Sequence, residues 1–261
     1  LTLTENAQPA LMAAYLSVMR VLQTEHGFDL KAKVRFVAGH SLGEYSALAA
    51  AGSFSLADAA RLLKLRGQAM QKAVPVGEGA MAALLGVGLE AGEKVAAAAA
   101  QGEVCEVAND NGPGQVIISG AKAAVGRAAE AGKAFGVRRF MPLNVSAPFH
   151  CALMQPAALA MQEALAKTPI KPPVVPLVAN VTAAPVTDPD EVRALLVRQV
   201  TSTVRWRESV MAMAQAGVTA FYEIGSGRVL SGLVRGIDKA LKAEAVGTPA
   251  DVAAALAGLK A

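Results

Sequence analysis

Apolar residues recur at helical spacing through Leu11, Tyr15, Met19 and Leu22, which predicts a helix over residues 9–25 ending near Gly27. Residues 34–37, Val-Arg-Phe-Val, read as a strand and 45–51 as a helix. Ser55-Leu56-Ala57-Asp58 has the form of a capping box, and Ala59, Leu63, Met70 and Val74 carry that helix until Pro75 stops it. From residue 80 the period shortens. Segments 81–87, 104–108, 115–119 and 139–145 read as strands, and 91–100 and 122–135 as alanine-rich helices, with a turn at Asn111-Gly112-Pro113-Gly114. Helices at 152–166, 190–199 and 207–216 then alternate with strands at 174–178 and 220–224, and Gly225-Ser226-Gly227 opens a last long helix.

The βαββαβ order of the middle segment is that of a ferredoxin-like unit set into a larger α/β pattern. Two subdomains are therefore expected: a large one over 1–77 and 147–261, and a small one over 78–146. With 261 residues, 53% hydrophobic and 18% charged, the chain can bury a large core, which argues against disorder. The net charge of +4 is scattered, without the stripe that nucleic-acid binding needs. Two cysteines, Cys105 and Cys151, make neither a disulfide framework nor a metal set, and they fit a reducing cytoplasm. No apolar run of about eighteen residues predicts a membrane span, and the first residues lack the basic-then-apolar pattern of a signal peptide. The start at Leu1 rather than methionine leads to the expectation of a further upstream segment.

The chemistry concentrates at Gly39-His40-Ser41-Leu42-Gly43, a G-x-S-x-G pentad between a predicted strand and a predicted helix. That context is a nucleophile elbow, in which a tight turn lifts a serine Oγ into a cleft and aims nearby amides at the same point. The large subdomain thereby reads as α/β-hydrolase-like, with a parallel sheet. A serine nucleophile needs a base, and there are three histidines. His26 ends a helix and reads as structural. His40 adjoins the serine and reads as its support. His150, in the loop Ser146-Ala147-Pro148-Phe149-His150-Cys151, is the candidate base. Its orienting partner is either a carboxylate, with Asp110 the best placed, or a backbone carbonyl, since the orienter has only to hold the imidazole tautomer.

Arg66 adds specificity. On a wheel of about 100° per residue it falls between Leu62 and Ala59, on the apolar arc. A buried guanidinium is costly unless something anionic meets it, so the readings are an internal salt bridge or snorkelling on one side and a bidentate clamp for a substrate carboxylate on the other. Gly225-Ser226-Gly227 lacks the spacing of a phosphate loop, and packing accounts for Trp206.

These residues resemble the malonyl-CoA:acyl carrier protein transacylases of bacterial type II fatty acid synthesis. The resemblance rests on Gln8-Pro9-Ala10-Leu11, residues 38–48 around the elbow, Arg66-Gly67, residues 79–83, residues 111–115, Pro148-Phe149-His150 and residues 222–227. It implies Ser41 as nucleophile, His150 as general base and acid, and Arg66 as partner of the malonyl carboxylate. Gln199 matches the glutamine whose backbone carbonyl orients the histidine, which weakens the Asp110 alternative. The Leu42 amide is implied as an oxyanion donor, with Asn109 and Asn111 along the acyl and pantetheine path. Phe149 is expected to limit bulk at the malonyl α-carbon. Lys133, Arg138 and Arg139 are the expected docking patch for an acidic carrier protein. The family begins with a strand and a glutamine-bearing loop that completes the oxyanion hole, and this chain starts after that point.

The expected activity is ping-pong malonyl transfer through a malonyl-serine ester by a cytoplasmic monomer. Its partners are malonyl-CoA and acyl carrier protein, with no cofactor, metal, nucleic acid or membrane. The competing readings are an acyltransferase domain of a megasynthase, an α/β esterase and a non-catalytic acyl-binding domain. Arg66 and the inserted unit disfavour the esterase, and Ser41 together with His150 disfavours the non-catalytic domain.

Overall fold

A computed structural model describes residues 3–260, so the chain start at Leu1 lies outside the described residues. The chain runs through α1 (Thr4–His26), α2 (Leu30–Lys33), β1 (Val37–Ala38), α3 (Gly43–Ala50) and α4 (Leu56–Ala73). Next come β2 (Gly79–Leu85), α5 (Leu89–Ala100), β3 (Cys105–Gly112), β4 (Gln115–Ala121), α6 (Lys122–Ala134) and β5 (Arg139–Pro142). It then continues through α7 (Gln155–Ala166), β6 (Leu177–Val178), β7 (Pro185–Val186), α8 (Pro189–Gln199), α9 (Trp206–Gln215), β8 (Ala220–Ile224), α10 (Val229–Ile237), β9 (Lys242–Val246) and α11 (Pro249–Lys260).

The middle segment forms one antiparallel sheet in the order β3-β4-β2-β5, the strand order of a ferredoxin-like unit. Its own apolar cluster, including Leu84, Val95, Val107, Val116, Ile118 and Val125, fills the space between this sheet and helices α5 and α6. The rest is α/β, with β1 parallel to β6, β8 parallel to β9, and β7 returning antiparallel on β6. A larger cluster built on α3, α4, α7 and α8 packs behind the elbow through Tyr45, Leu48, Leu63, Met70, Met161 and Leu196. Among the described residues, β1 and β8 each pair along one edge only, and the residues of both are half-buried.

Local chemistry explains most boundaries. Ser55 Oγ accepts the Asp58 N–H at 3.0 Å, so α4 starts where its capping box predicts. The predicted strand at 34–37 shrinks to two residues because Asp29 caps α2, and the Val34 N–H returns to Leu30 O at 3.0 Å. The strand predicted at 174–178 likewise begins at Leu177, since Pro176 has no N–H for a ladder and offers only its carbonyl, to Val37. Pro142 ends β5 short of residue 145.

The largest correction is at the C-terminus. The predicted last long helix is α10, then β9 alongside β8, then α11. A signal was present in the sequence: Thr248 Oγ1 accepts the Asp251 N–H ahead of Pro249, a helix start that the alanine-rich composition obscured. No helix among the described residues is long and apolar enough to cross a membrane.

Candidate active site

The turn from β1 into α3 places Ser41 at φ 53°, a left-handed conformation that costs a non-glycine residue about 1–3 kcal/mol. His150 is also left-handed, at φ 58°. The two glycines of the pentad are not equivalent. A Cβ at Gly39 would overlap the backbone carbonyl of Gly43, whereas a Cβ at Gly43 meets nothing. Gly39→Ala is therefore expected to destabilise by about 3 kcal/mol, the upper end for overpacking, because backbone cannot move aside as a side chain can. Gly43→Ala should leave stability nearly unchanged; denaturant midpoints of the two variants make the comparison.

Ser41 Oγ lies 2.8 Å from His150 Nε2, and His150 Nδ1 lies 2.9 Å from the backbone carbonyl of Gln199. A carbonyl only accepts, so Nδ1 carries the proton and Nε2 is left to accept the serine O–H. The orienter is thus a carbonyl and not Asp110, which pairs with Arg207 at 2.9 Å. Burial and then the positive charge of Arg66 pull His150 down to about 3, so the imidazole is neutral at physiological pH.

Arg66 is 1% exposed, held in α4 where Gly67 admits the backbone of α1. Its Nη1 donates to Gln8 Oε1 at 2.8 Å, and its Nη2 to Gln199 Oε1 at 2.8 Å and to Ser41 Oγ at 3.0 Å. The Tyr45 ring lies 5.7 Å from the guanidinium carbon. Arg66 forms no ion pair among the described residues, and its Nε has no partner. A direct internal ion pair is therefore not the reason for its burial; the buried acid near it, Glu44, acts on it at longer range, with the Gln199 amide between them. A buried guanidinium with no direct ion pair, in contact with Ser41 Oγ, has the chemistry to meet an anionic group.

The Leu42 N–H meets no acceptor among the described residues, while the Ser41 N–H is occupied by Asn180 Oδ1 at 2.8 Å. His40 stands behind the elbow with its Nε2 2.9 Å from Asn111 Oδ1 and its ring tilted against Trp206; burial lowers its pKa. Asn109 is buried in β3, where its backbone bridges to Val204, and its side chain makes no hydrogen bond to Ser41, His150 or Arg66. Phe149, beside His150, packs against both the large cluster and the face of β2 and β4 turned towards it. Arg138 and Arg139 are exposed on the small sheet, and Lys133 is paired with Glu130 at 2.5 Å. His26 is exposed at the end of α1.

Sequence reading missed Asn180 altogether, and it saw Glu44 and Gln8 only as members of longer motifs. Asn180 follows a two-residue strand in a stretch with no local signal. Its role arises only because β6 lies beside β1. Among the described residues no group of three or more His, Cys, Asp or Glu side chains could hold a metal ion.

Residues 1–257 match the family model described as acyl transferase domain. The chain is 48% identical over 253 residues to the malonyl CoA-acyl carrier protein transacylase of Escherichia coli strain K12, covering 97% of this chain and 81% of that protein. It is similar to the crystal structure of an acyl-carrier-protein S-malonyltransferase from Bartonella henselae, with 53% identity, a TM-score of 0.96, and coverage of 100% and 82% of the two chains. It also resembles a malonyl-transacylase solved in complex with its type II PKS acyl-carrier protein, at 43% identity and a TM-score of 0.94, covering 98% of this chain and 82% of that one. A serine hydrogen-bonded both to a histidine and to a buried arginine, on a fold and sequence shared along nearly the whole chain, places this protein in the acyl transferase domain family, among the malonyl CoA-acyl carrier protein transacylases.

Proposed function

We propose that the protein transfers the malonyl group from malonyl-CoA to the pantetheine thiol of acyl carrier protein through an ester on Ser41. The observation that carries this is the buried Arg66 guanidinium, which makes no direct ion pair among the described residues and lies 3.0 Å from Ser41 Oγ. The malonyl carboxylate pairs with that guanidinium and brings the thioester carbonyl to the serine. His150 Nε2 takes the Ser41 proton as Oγ bonds to the carbonyl carbon, and the Leu42 N–H receives the developing oxyanion. The C–S bond then breaks, and CoA leaves with the proton from His150. In the second half the carrier thiol gives its proton to His150 and attacks the ester. The C–O bond breaks, and Ser41 Oγ recovers its proton. Protons and electron pairs balance between Ser41, His150 and the two thiols, so the cycle calls for no cofactor.

Arg138 and Arg139 supply the positive charge for an acidic carrier protein, and Lys133 contributes less because Glu130 already pairs with it. Asn111 and Asn109 line the approach from β3, with Phe149 beside the acyl group. Separate apolar clusters support the division into 1–77 with 147–261 and 78–146. The buried free thiols Cys105 and Cys151 support a reducing, cytoplasmic setting. Incubation with malonyl-CoA or acetyl-CoA, followed by intact mass and transfer to a carrier protein, tests the reading. A malonyl adduct that Ser41→Ala abolishes and carrier protein discharges is expected. No adduct on the full-length protein would overturn it.

A further inference from the structure

The strained backbone of Ser41 is held on both sides of its Cα by side-chain amides. Its N–H donates to Asn180 Oδ1 at 2.8 Å, and its carbonyl accepts from Gln199 Nε2 at 2.9 Å. Asn180 Nδ2 also donates to Gly39 O at 2.8 Å, so this one residue spans the elbow. Both amide-bearing residues are tied to a single carboxylate. Glu44 Oε1 accepts the Asn180 backbone N–H at 2.6 Å, and Glu44 Oε2 accepts from Gln199 Nε2.

Glu44 is 1% exposed, in the first turn of α3, and it makes no hydrogen bond to Ser41 Oγ or His150. Burial pushes its carboxyl up to about 8, against the two donors and the Arg66 charge. A buried acid is costly unless it is matched by donors, and the acyl-transfer steps do not use this one. Its geometry does give it a task. The Gln199 amide faces Arg66 with Oε1 and faces Ser41 O and Glu44 with Nε2. Turning the amide over would withdraw the donor from Glu44 Oε2 and set the NH2 against the guanidinium, so the contact with Glu44 fixes its orientation.

We propose that Glu44 is a positioning residue for acylation: by fixing Asn180 and Gln199 it clamps the Ser41 backbone in its left-handed conformation and holds the Gln199 carbonyl against His150. The clamp rests on the acyl-transfer reading for its purpose, but it acts on the nucleophile rather than on the malonyl group. Its loss must therefore slow every reaction of Ser41 alike. Glu44→Gln keeps the shape and breaks the clamp, because a carboxamide NH2 must oppose either the Asn180 N–H or the Gln199 NH2.

The test uses the full chain, checked for folding by circular dichroism, in two assays. One is single-turnover malonylation from malonyl-CoA, and the other is labelling of Ser41 by an uncharged fluorophosphonate. Glu44→Gln is expected to slow both by the same factor, about tenfold to a hundredfold, the scale of loss for a misplaced reacting group. Asn180→Ala, which removes the arms to the Ser41 N–H and to Gly39 O and leaves Glu44 in place, should slow labelling and leave the malonyl-to-acetyl ratio as it was. Wild-type labelling rates in folded Glu44→Gln overturn the proposal, as does a loss confined to malonyl-CoA. If Glu44→Gln does not fold, wild-type labelling in Asn180→Ala overturns it. A wild-type chain that labels but takes no malonyl group defeats the transfer reading, and labelling of the variants still decides the clamp.

Discussion

Replacing His150 with alanine is expected to slow malonylation of Ser41 by on the order of 10²–10⁴-fold, the usual contribution of a positioned general base. The 2.8 Å contact to Oγ and the carbonyl-fixed tautomer leave no other imidazole to serve, since His40 faces Asn111 and His26 is exposed. The pH dependence follows from the same geometry. Protonated His150 cannot accept the serine proton, and burial and Arg66 hold it down towards about 3. The acid limb of kcat/KM should therefore lie well below about 6.5, the ordinary histidine value. An acid limb near that ordinary value would contradict the assignment. Stability has the same sign. Because the folded pKa is depressed, the contribution from His150 is complete above the unfolded value of about 6.5 and is lost as pH falls from there towards about 3. Denaturation midpoints across that window, for wild type and His150→Ala, give the measurement.

Replacing Arg66 with alanine is expected to lower kcat/KM for malonyl-CoA by on the order of 10²–10³-fold. That is the rate equivalent of the ~3–4 kcal/mol that follows from removing one partner of a buried charge pair. Acetyl-CoA brings no carboxylate and should lose much less, retaining only the cost of the 3.0 Å bond from Nη2 to Ser41 Oγ. The malonyl-to-acetyl ratio should collapse accordingly, and equal losses with both substrates would make Arg66 a purely structural residue. The acid limb should also move upward in this variant, because the Arg66 charge is one of the causes that lower His150.

The elbow was legible because its cause is local: Gly39 admits the backbone of Gly43 within one turn, and a strand and a helix flank it in sequence. The small sheet was legible for a similar reason, since its period alternates between strand and helix over consecutive segments. Arg66 was legible in part. The wheel put it on the apolar arc of α4, but whether a carboxylate waited there depended on α1, α8 and the elbow, which converge on it from distant parts of the chain. The C-terminal strand was missed because Lys242–Val246 carries no strong β-formers apart from Val246. It becomes a strand because β8 offers an edge to pair with.

By itself, the sequence determined the α/β class, the serine elbow, the loop histidine as the candidate base, and the inward arginine. Each of these follows from spacing along one helix or one turn. Only the tertiary structure decided that Asp110 answers to Arg207 while a backbone carbonyl holds His150. It alone decided that Arg66 makes no direct ion pair among the described residues, and that Glu44, Asn180 and Gln199 close around Ser41. Those are hydrogen bonds between residues far apart in sequence. Their partners are chosen by which elements the packing brings within about 3 Å, and no local pattern encodes that choice.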